Sequence, residues 1–317
     1  MRRSNSPFTR RWRRKPAERG IVLVMTVLVL GILLLVGYAT SFSAAVNLRA
    51  AENLGEMLRR DCAAESALNY GLALLRVDAE TNSYDTLDES WAAGDLTVQV
   101  GEHTFALWIV DENRKLNVNR AVLAPGGVPG VDLRSALRRL VIRTEGAERD
   151  FETICAWMGP AWSSKADAVP MRALLFSSSL RAIPGLEPRL FRKTRDKPGL
   201  DALLTCHAER INVNTASLDV LAALWDDELL ARAVLEQRSR APFVNDTEIR
   251  TFLQRMAATE AVMNTIPLVT VQSDFFTVTV VPQNRTPVEV WVALVRRHDV
   301  MVQVVLLRRQ EAEVAHD

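Results

Sequence analysis

Residues 17–28 read AERGIVLVMTVL: an acid and a base, one glycine, then apolar residues without interruption. Working outward to the N-terminal side, residues 1–20 hold seven arginines, one lysine and one glutamate, a net charge of +7. The whole chain of 317 residues carries only +1, which leaves −6 for residues 21–317. A cationic surface for nucleic acid over the whole chain is therefore not what the charge describes. The basic end instead follows the positive-inside tendency and would stay cytoplasmic while the remainder crosses a membrane.

To the C-terminal side the apolar block runs from Ile21 to Phe42, and no charged side chain appears before Arg49. At about 1.5 Å per residue, about 20 residues span a hydrocarbon layer of roughly 30 Å. Secretory signal segments are shorter, about 7–15 residues, and end at small residues. SFSAAV (41–46) imitates such a site, and the paired arginines upstream imitate a twin-arginine signal, so a cleaved signal stays open as the alternative. Block length favours a spanning helix. Within it no acid, base or amide occurs, and the fifth residue after Gly20 is Met25. Nothing there indicates an intramembrane proton or ion path.

The helical pattern continues beyond the block. Leu48, Ala51, Leu54, Leu58, Leu68, Leu72 and Leu75 recur at steps of three and four or small multiples, with Arg49, Glu52, Glu56, Arg59, Arg60 and Glu65 between them. No proline interrupts 21–77, which allows one rod of roughly 85 Å. ETNSYDTLDES (80–90) reads as a connector. LTVQV and TFALWIV then read as strands joined through Gly101-Glu102-His103, and FFTVTVV, VEVWVALVRR and VMVQVVLL (275–307) as three more in a meander. Helical segments with Pro-Gly turns fill 112–266. Strands outside and helices inside predict an α+β fold with an α domain inserted into an α/β domain. The expected boundaries are 1–20 leader, 21–77 helix with 21–42 in the membrane, 78–111 with 267–309 as the sheet region, 112–266 as the insert, and 310–317 as a tail.

The insert contains an echo: LNVNRAVL (116–123) and INVNTASL (211–218). Thr215 is expected to cap a helix starting at Ala216, and Asn245 with Glu248 has capping-box spacing. FSSSLRAIPGLEPRLFRK (176–193) reads as helix, turn, helix. INVNTASLDVLAALWDDELLARAVLEQR resembles a helix-hairpin-helix, yet its hairpin carries Asp226, Asp227 and Glu228 where a phosphate would dock, which opposes DNA binding. His103, His207, His298 and His316 fall in no HExxH or GxSxG setting, and no carboxylate pair stands out, so catalysis is not expected. DENRK (111–115) reads as a polar strand-to-helix turn, without the ligand spacing of an EF-hand. Cys62, Cys155 and Cys206 match no zinc pattern, and a Cys155–Cys206 disulfide is left undetermined by sequence.

Taken together, ERG/IVLVMTVLVL, WIVDENRKLNVN, FSSSLRAIPGLEP, RINVNTASLDVLAAL with RAPF, and SDFFTV resemble, in this order, the type IV pilin-like class and within it the minor pseudopilin K family of type II secretion (general secretion pathway protein K). The resemblance implies a pilin-like helix on a small antiparallel sheet with a large all-α insertion of helix-hairpin-helix or SAM-like type. It implies cleavage after Gly20 by prepilin peptidase and methylation of Ile21. Most pseudopilins carry glutamate at position five of the mature chain; the K family does not, and Met25 agrees. Ile21 departs from the more usual Phe or Met. The implied role is at the pseudopilus tip, with minor pseudopilins I and J, other pseudopilins, the inner membrane, and secretin or cargo as partners. Leu54, Leu58, Leu68 and Leu72 are expected to pack the upper rod, on the sheet or on neighbours. Calcium is implied by the resemblance alone, without ligands. Two rivals stay open: a membrane-anchored DNA-binding protein of the competence type, and a periplasmic enzyme with an uncleaved anchor.

Overall fold

The structure, a computed structural model, describes residues 16–94, 96–124, 131–159, 172–194, 197–283 and 288–312. Most of the leader, the 284–287 link and the tail from 313 lie outside the described residues. The chain divides into two compact units, 1–62 and 63–317.

The helix α1 runs Pro16–Thr81 and is the only element described in the first unit. Within the second unit its last turns present Ala64, Ala67, Leu68, Gly71 and Leu75 at helical spacing to a sheet. Gly71 has no side chain for a reason. A Cβ on Gly71 would stand 3.1 Å from Val278 Cγ1 and 3.4 Å from a Leu107 methyl, so the helix lies against the strands with no room for a side chain there.

The sheet begins with β1 (Leu96–Val100) and β2 (His103–Asp111), paired antiparallel from Val100↔His103 through a two-residue turn in which Gly101 has φ +59°. A positive φ is easily reached by glycine and matches the hairpin twist. The insert then begins. It contains β3 (Leu116–Asn117), α2 (Val118–Leu123), α3 (Leu133–Arg143), α4 (Glu148–Met158), α5 (Leu200–Leu203) and β4 (Leu204–Thr205). It continues with β5 (Ile211–Asn212), α6 (Leu218–Trp225), α7 (Glu228–Arg240), α8 (Asp246–Arg255), α9 (Glu260–Met263) and β6 (Val269–Thr270). The chain returns to the sheet as β7 (Phe275–Pro282), β8 (Val288–His298) and β9 (Met301–Ala312).

The strand order is β1-β2-β7-β8-β9, antiparallel throughout. Asp111 faces Phe276 across β2 and β7, so the insert leaves and rejoins the sheet at adjacent points. Alternation explains which face is covered: Phe105, Leu107 and Ile109 on β2, Phe276, Val278 and Val280 on β7, and Trp291, Ala293 and Val295 on β8 share one core with α1 and Trp91. The insert has a separate core built on Leu137, Leu140, Ile154, Met158, Leu221 and Leu253.

Several details depart from the expectations. Thr215 does not cap a helix; α6 starts at Leu218, with Ser217 Oγ accepting from the Val220 amide at 3.3 Å. The Thr215 hydroxyl is drawn instead to a buried carboxylate. The 176–193 stretch forms two 3-10 turns, Ser177–Ala182 and Pro188–Phe191, because Pro184, Pro188 and a left-handed Gly185 (φ +90°) interrupt the longer helical ladder. The helix outruns 21–77 at both ends, and β9 reaches Ala312, taking residues assigned to the tail. Cys155 and Cys206 are buried free thiols, not joined to each other.

Candidate assembly surface and the seam of the insert

The first candidate surface is α1 itself. Gly20 has open space around the position of a Cβ, Ile21 and Met25 are exposed, and every large apolar residue named between Ile21 and Phe42 is at least half exposed. This helix is the one candidate span among the described residues, long and apolar enough to cross a membrane. The four leucines separate. Leu68 is 6% exposed in the core and Leu72 packs against that core, whereas Leu54 and Leu58 are 51% and 55% exposed. Met57 and Leu48 are exposed in the same stretch, so this part of the stripe is uncovered in the single chain.

The second feature was not foreseen: a buried polar seam where α1, the sheet and the insert meet. Asp111 ends β2 and is buried, its Oδ1 accepting the Asn113 amide at 2.7 Å and its Oδ2 the Thr215 and Ser273 hydroxyls. Burial pushes its carboxyl up to about 6, against the pull of those hydroxyls. Arg297, at the end of β8, donates to Asp78 Oδ2 of α1 at 2.8 Å, to both oxygens of Asp85, and to the Ser273 carbonyl, and it lies 4.8 Å over the Phe276 ring. One guanidinium thus ties the helix, the connector and the sheet together. Glu89 accepts from Trp91 Nε1 at 2.6 Å, and burial, with the charge of Asp78, pushes its carboxyl up to about 7.

Carboxylate oxygens of Asp78, Asp85 and Glu89 lie within 4.8 Å of one another, the closeness a cation would require. The seam does not suit calcium, however. That ion takes six to eight oxygens, and here Arg297 already occupies oxygens of two of the three carboxylates as their ion-pair partner.

Next to this network, Glu112 pairs with Lys115 at 2.6 Å and accepts from Thr277 Oγ1 at 2.7 Å. Burial alone would raise its carboxyl; the lysine and hydroxyl partners outweigh it and hold the value below the ordinary one. DENRK is thus a polar turn on the way from β2 to α2, and its Asp111, Glu112, Asn113 and Lys115 are buried.

The echo has a structural counterpart. Leu116-Asn117 pairs in parallel with Leu204-Thr205, and Ile211-Asn212 with Val269-Thr270. The second asparagine of each copy clamps a remote backbone amide from both sides. Asn119 donates to the Leu174 carbonyl at 2.8 Å and accepts from its N–H at 2.9 Å. Asn214 does the same to Phe243 at 2.8 and 3.0 Å. Asn245 caps α8 by accepting from the Glu248 amide, while Glu248 reaches back to the Val244 amide.

At the acidic hairpin Asp226 takes a left-handed φ of 54°, and the exposed acids have partners within the chain, Asp227 capping α7 by accepting from the Leu230 amide. Arg143 on α3 bonds Asp219 and Glu228, Arg232 bonds Glu228, and Arg139 donates to the Ala223 carbonyl at 2.7 Å, satisfying an open end of α6. Cys206 is buried near Glu112, and desolvation pushes its thiol up to about 12, which makes it inert as a nucleophile.

Residues 211–269 match the family model described as type II secretion system (T2SS), protein K. The matched stretch begins and ends on the Ile211↔Val269 pair that closes β5 on β6. No curated protein matches the chain. Among solved structures, a chain in the crystal structure of the GspK-GspI-GspJ complex from the enterotoxigenic Escherichia coli type 2 secretion system shares the fold. Its TM-score is 0.63 at 18% identity, over 84% of this chain and 100% of that one.

Proposed function

We propose that the chain acts as the K-type minor pseudopilin of a type II secretion system, the role that the family model over 211–269 and the shared fold support. In this reading prepilin peptidase cuts after Gly20, Ile21 becomes the methylated N-terminus, the apolar helix stays in the inner membrane, and the bulk lies in the periplasm. The partners are the minor pseudopilins I and J, the ones co-assembled in the similar solved complex. The role is one of assembly, not catalysis.

The observation that carries the terminal position is Met25. A carboxylate in a bilayer costs about 2.5–3.5 kcal/mol on insertion scales unless it is paired. With methionine here the chain avoids that cost and also offers no acid to the amine of an adjoining subunit. Such a subunit suits an end of the filament, where one neighbour is missing. The large insert beside the sheet supports the same reading, since it adds bulk that a following subunit would have to pass. From that end the chain would start assembly and meet secretin or cargo.

Intact mass of the purified protein tests the first step. A mature chain starting at Ile21 is expected; a start at Ala44 or Ala45 would move the protein to the ordinary export class. Gly20→Val should leave the leader attached. Met25→Glu should still be cut, but should change which subunits crosslink to it; an unchanged crosslinking pattern would remove the positional argument.

A further inference from the structure

Arg308 on β9 lies opposite Val292 of β8, on the sheet face covered by the insert. Its guanidinium is fixed from two sides, 4.0 Å over the Phe176 ring and donating to Ser178 Oγ at 3.3 Å. Its Nε is shielded from solvent and has no acceptor. Among the described residues no carboxylate is paired with it, and burial, unopposed by any acid, pushes its proton affinity down. Arg297, on the neighbouring strand β8, by contrast meets two carboxylates. An arginine pre-stacked on an aromatic ring with a shielded donor unspent is a receptor geometry, because little side-chain freedom remains to be lost on binding.

The guanidinium borders a cavity of about 170 Å³. Lys115 and Glu112, which also line it, neutralise each other at 2.6 Å, so the charge the cavity presents is that of Arg308. Val292 and Leu294, both buried, supply an apolar lining. One charged fork beside an aliphatic wall suits a monoanion with a short hydrocarbon stem better than a fully hydrated phosphate or sulfate. We propose that this cavity binds a carboxylate borne on a short aliphatic stem, with Arg308 as its charged partner. The carboxylate comes either from a free small acid or from an acidic side chain of another polypeptide. The inference does not rest on the assembly role.

The full chain in detergent micelles is titrated with sodium propionate, with sodium chloride at equal ionic strength as control, while Tm and the arginine Nε–H resonances are followed. Propionate is expected to raise Tm saturably beyond chloride and to move one Nε–H signal that Arg308→Gln removes. Arg308→Gln should weaken the response at least tenfold, and Arg308→Lys, which keeps the charge but loses the planar fork, should weaken it less. A blocked tripeptide with a single glutamate forms the second arm. Binding at least tenfold tighter than propionate assigns the site to a neighbouring chain; equal binding assigns it to free acids. A propionate response no larger than chloride overturns the proposal, as does an equal response in Arg308→Gln. Should Arg308→Gln fail to fold, Ser178→Ala replaces it, with a smaller loss and a displaced Nε–H signal expected.

Discussion

Burial of Glu89 beside Asp78 gives one residue a measurable effect on the whole second unit. Its folded value is about 7 against an ordinary 4.5, so the folded chain holds a proton that the unfolded chain has released. The contribution to stability is complete below about 4.5 and is lost as pH rises through about 7. Asp111, pushed up to about 6, acts in the same direction. Glu112 acts in the opposite one: its folded value is lowered, and its contribution is lost only in acid, as pH falls through that value. Raising pH from 5 to 8 should therefore lower stability. Glu89→Gln keeps an acceptor for Trp91 Nε1 and removes the titrating group. It should flatten that slope and raise stability at pH 8 by about 1 kcal/mol, a figure kept small because the carboxyl is half exposed and screened. Urea unfolding of both chains at pH 5, 6.5 and 8 measures this; parallel curves would assign the slope to other groups.

At the level of elements, the two asparagine clamps explain how short helices with only two-residue strand pairs beside them hold their connections. Asn214 is buried and satisfies both the N–H and the C=O of Phe243, itself in an edge contact with Phe252. Asn214→Ala strands two backbone groups in an apolar setting. The cost should be about 2–4 kcal/mol, the sum of two unsatisfied groups at about 1–3 kcal/mol each with partial relaxation. Exchange of the Phe243 amide should accelerate by more than the global loss of stability explains, and Asn119→Ala should do the same at Leu174. Uniform acceleration across the insert would mean the clamps are not local. The strands, the hairpin turn at Gly101 and the α6–α7 pair were legible from periodicity and turn residues, as was the echo itself. What the asparagines do was not, because their partners lie 29 and 55 positions away in sequence. The polar seam does leave a trace in the sequence. Asp111 is in phase with Phe105, Leu107 and Ile109, Arg297 with Trp291, Ala293 and Val295, and Asp78 with Gly71 and Leu75 on the helix. Each charge occupies the next inward position of an apolar series, and reading charges by phase would have marked all three as buried. Thr215 misled for the converse reason: a residue with good capping chemistry was already required by Asp111.

For the whole molecule, among the described residues the two hydrophobic cores contain none before Ala63, while the large apolar residues from Ile21 to Phe42 are exposed. Folding of the second unit and the capacity to cross a membrane are therefore carried by different parts of one continuous helix, α1. The part from Ala63 is irreplaceable to the sheet, because Ala64, Ala67, Leu68 and Leu75 form one wall of its core. The part before it gains burial only from lipid or from other chains. A chain beginning at Glu52 should keep its Tm within about 3 °C of the full protein, since less than about 1 kcal/mol of folding energy is removed from a unit of this size. It should also keep the pH slope set by Glu89, while passing entirely to the aqueous phase on detergent phase separation, where the full chain enters the detergent phase. A chain beginning at Gly71 loses Ala64, Ala67 and Leu68 and should unfold without cooperativity. If removal of residues 1–51 collapsed the second unit as well, the apolar helix would be part of the fold and not a surface kept for assembly.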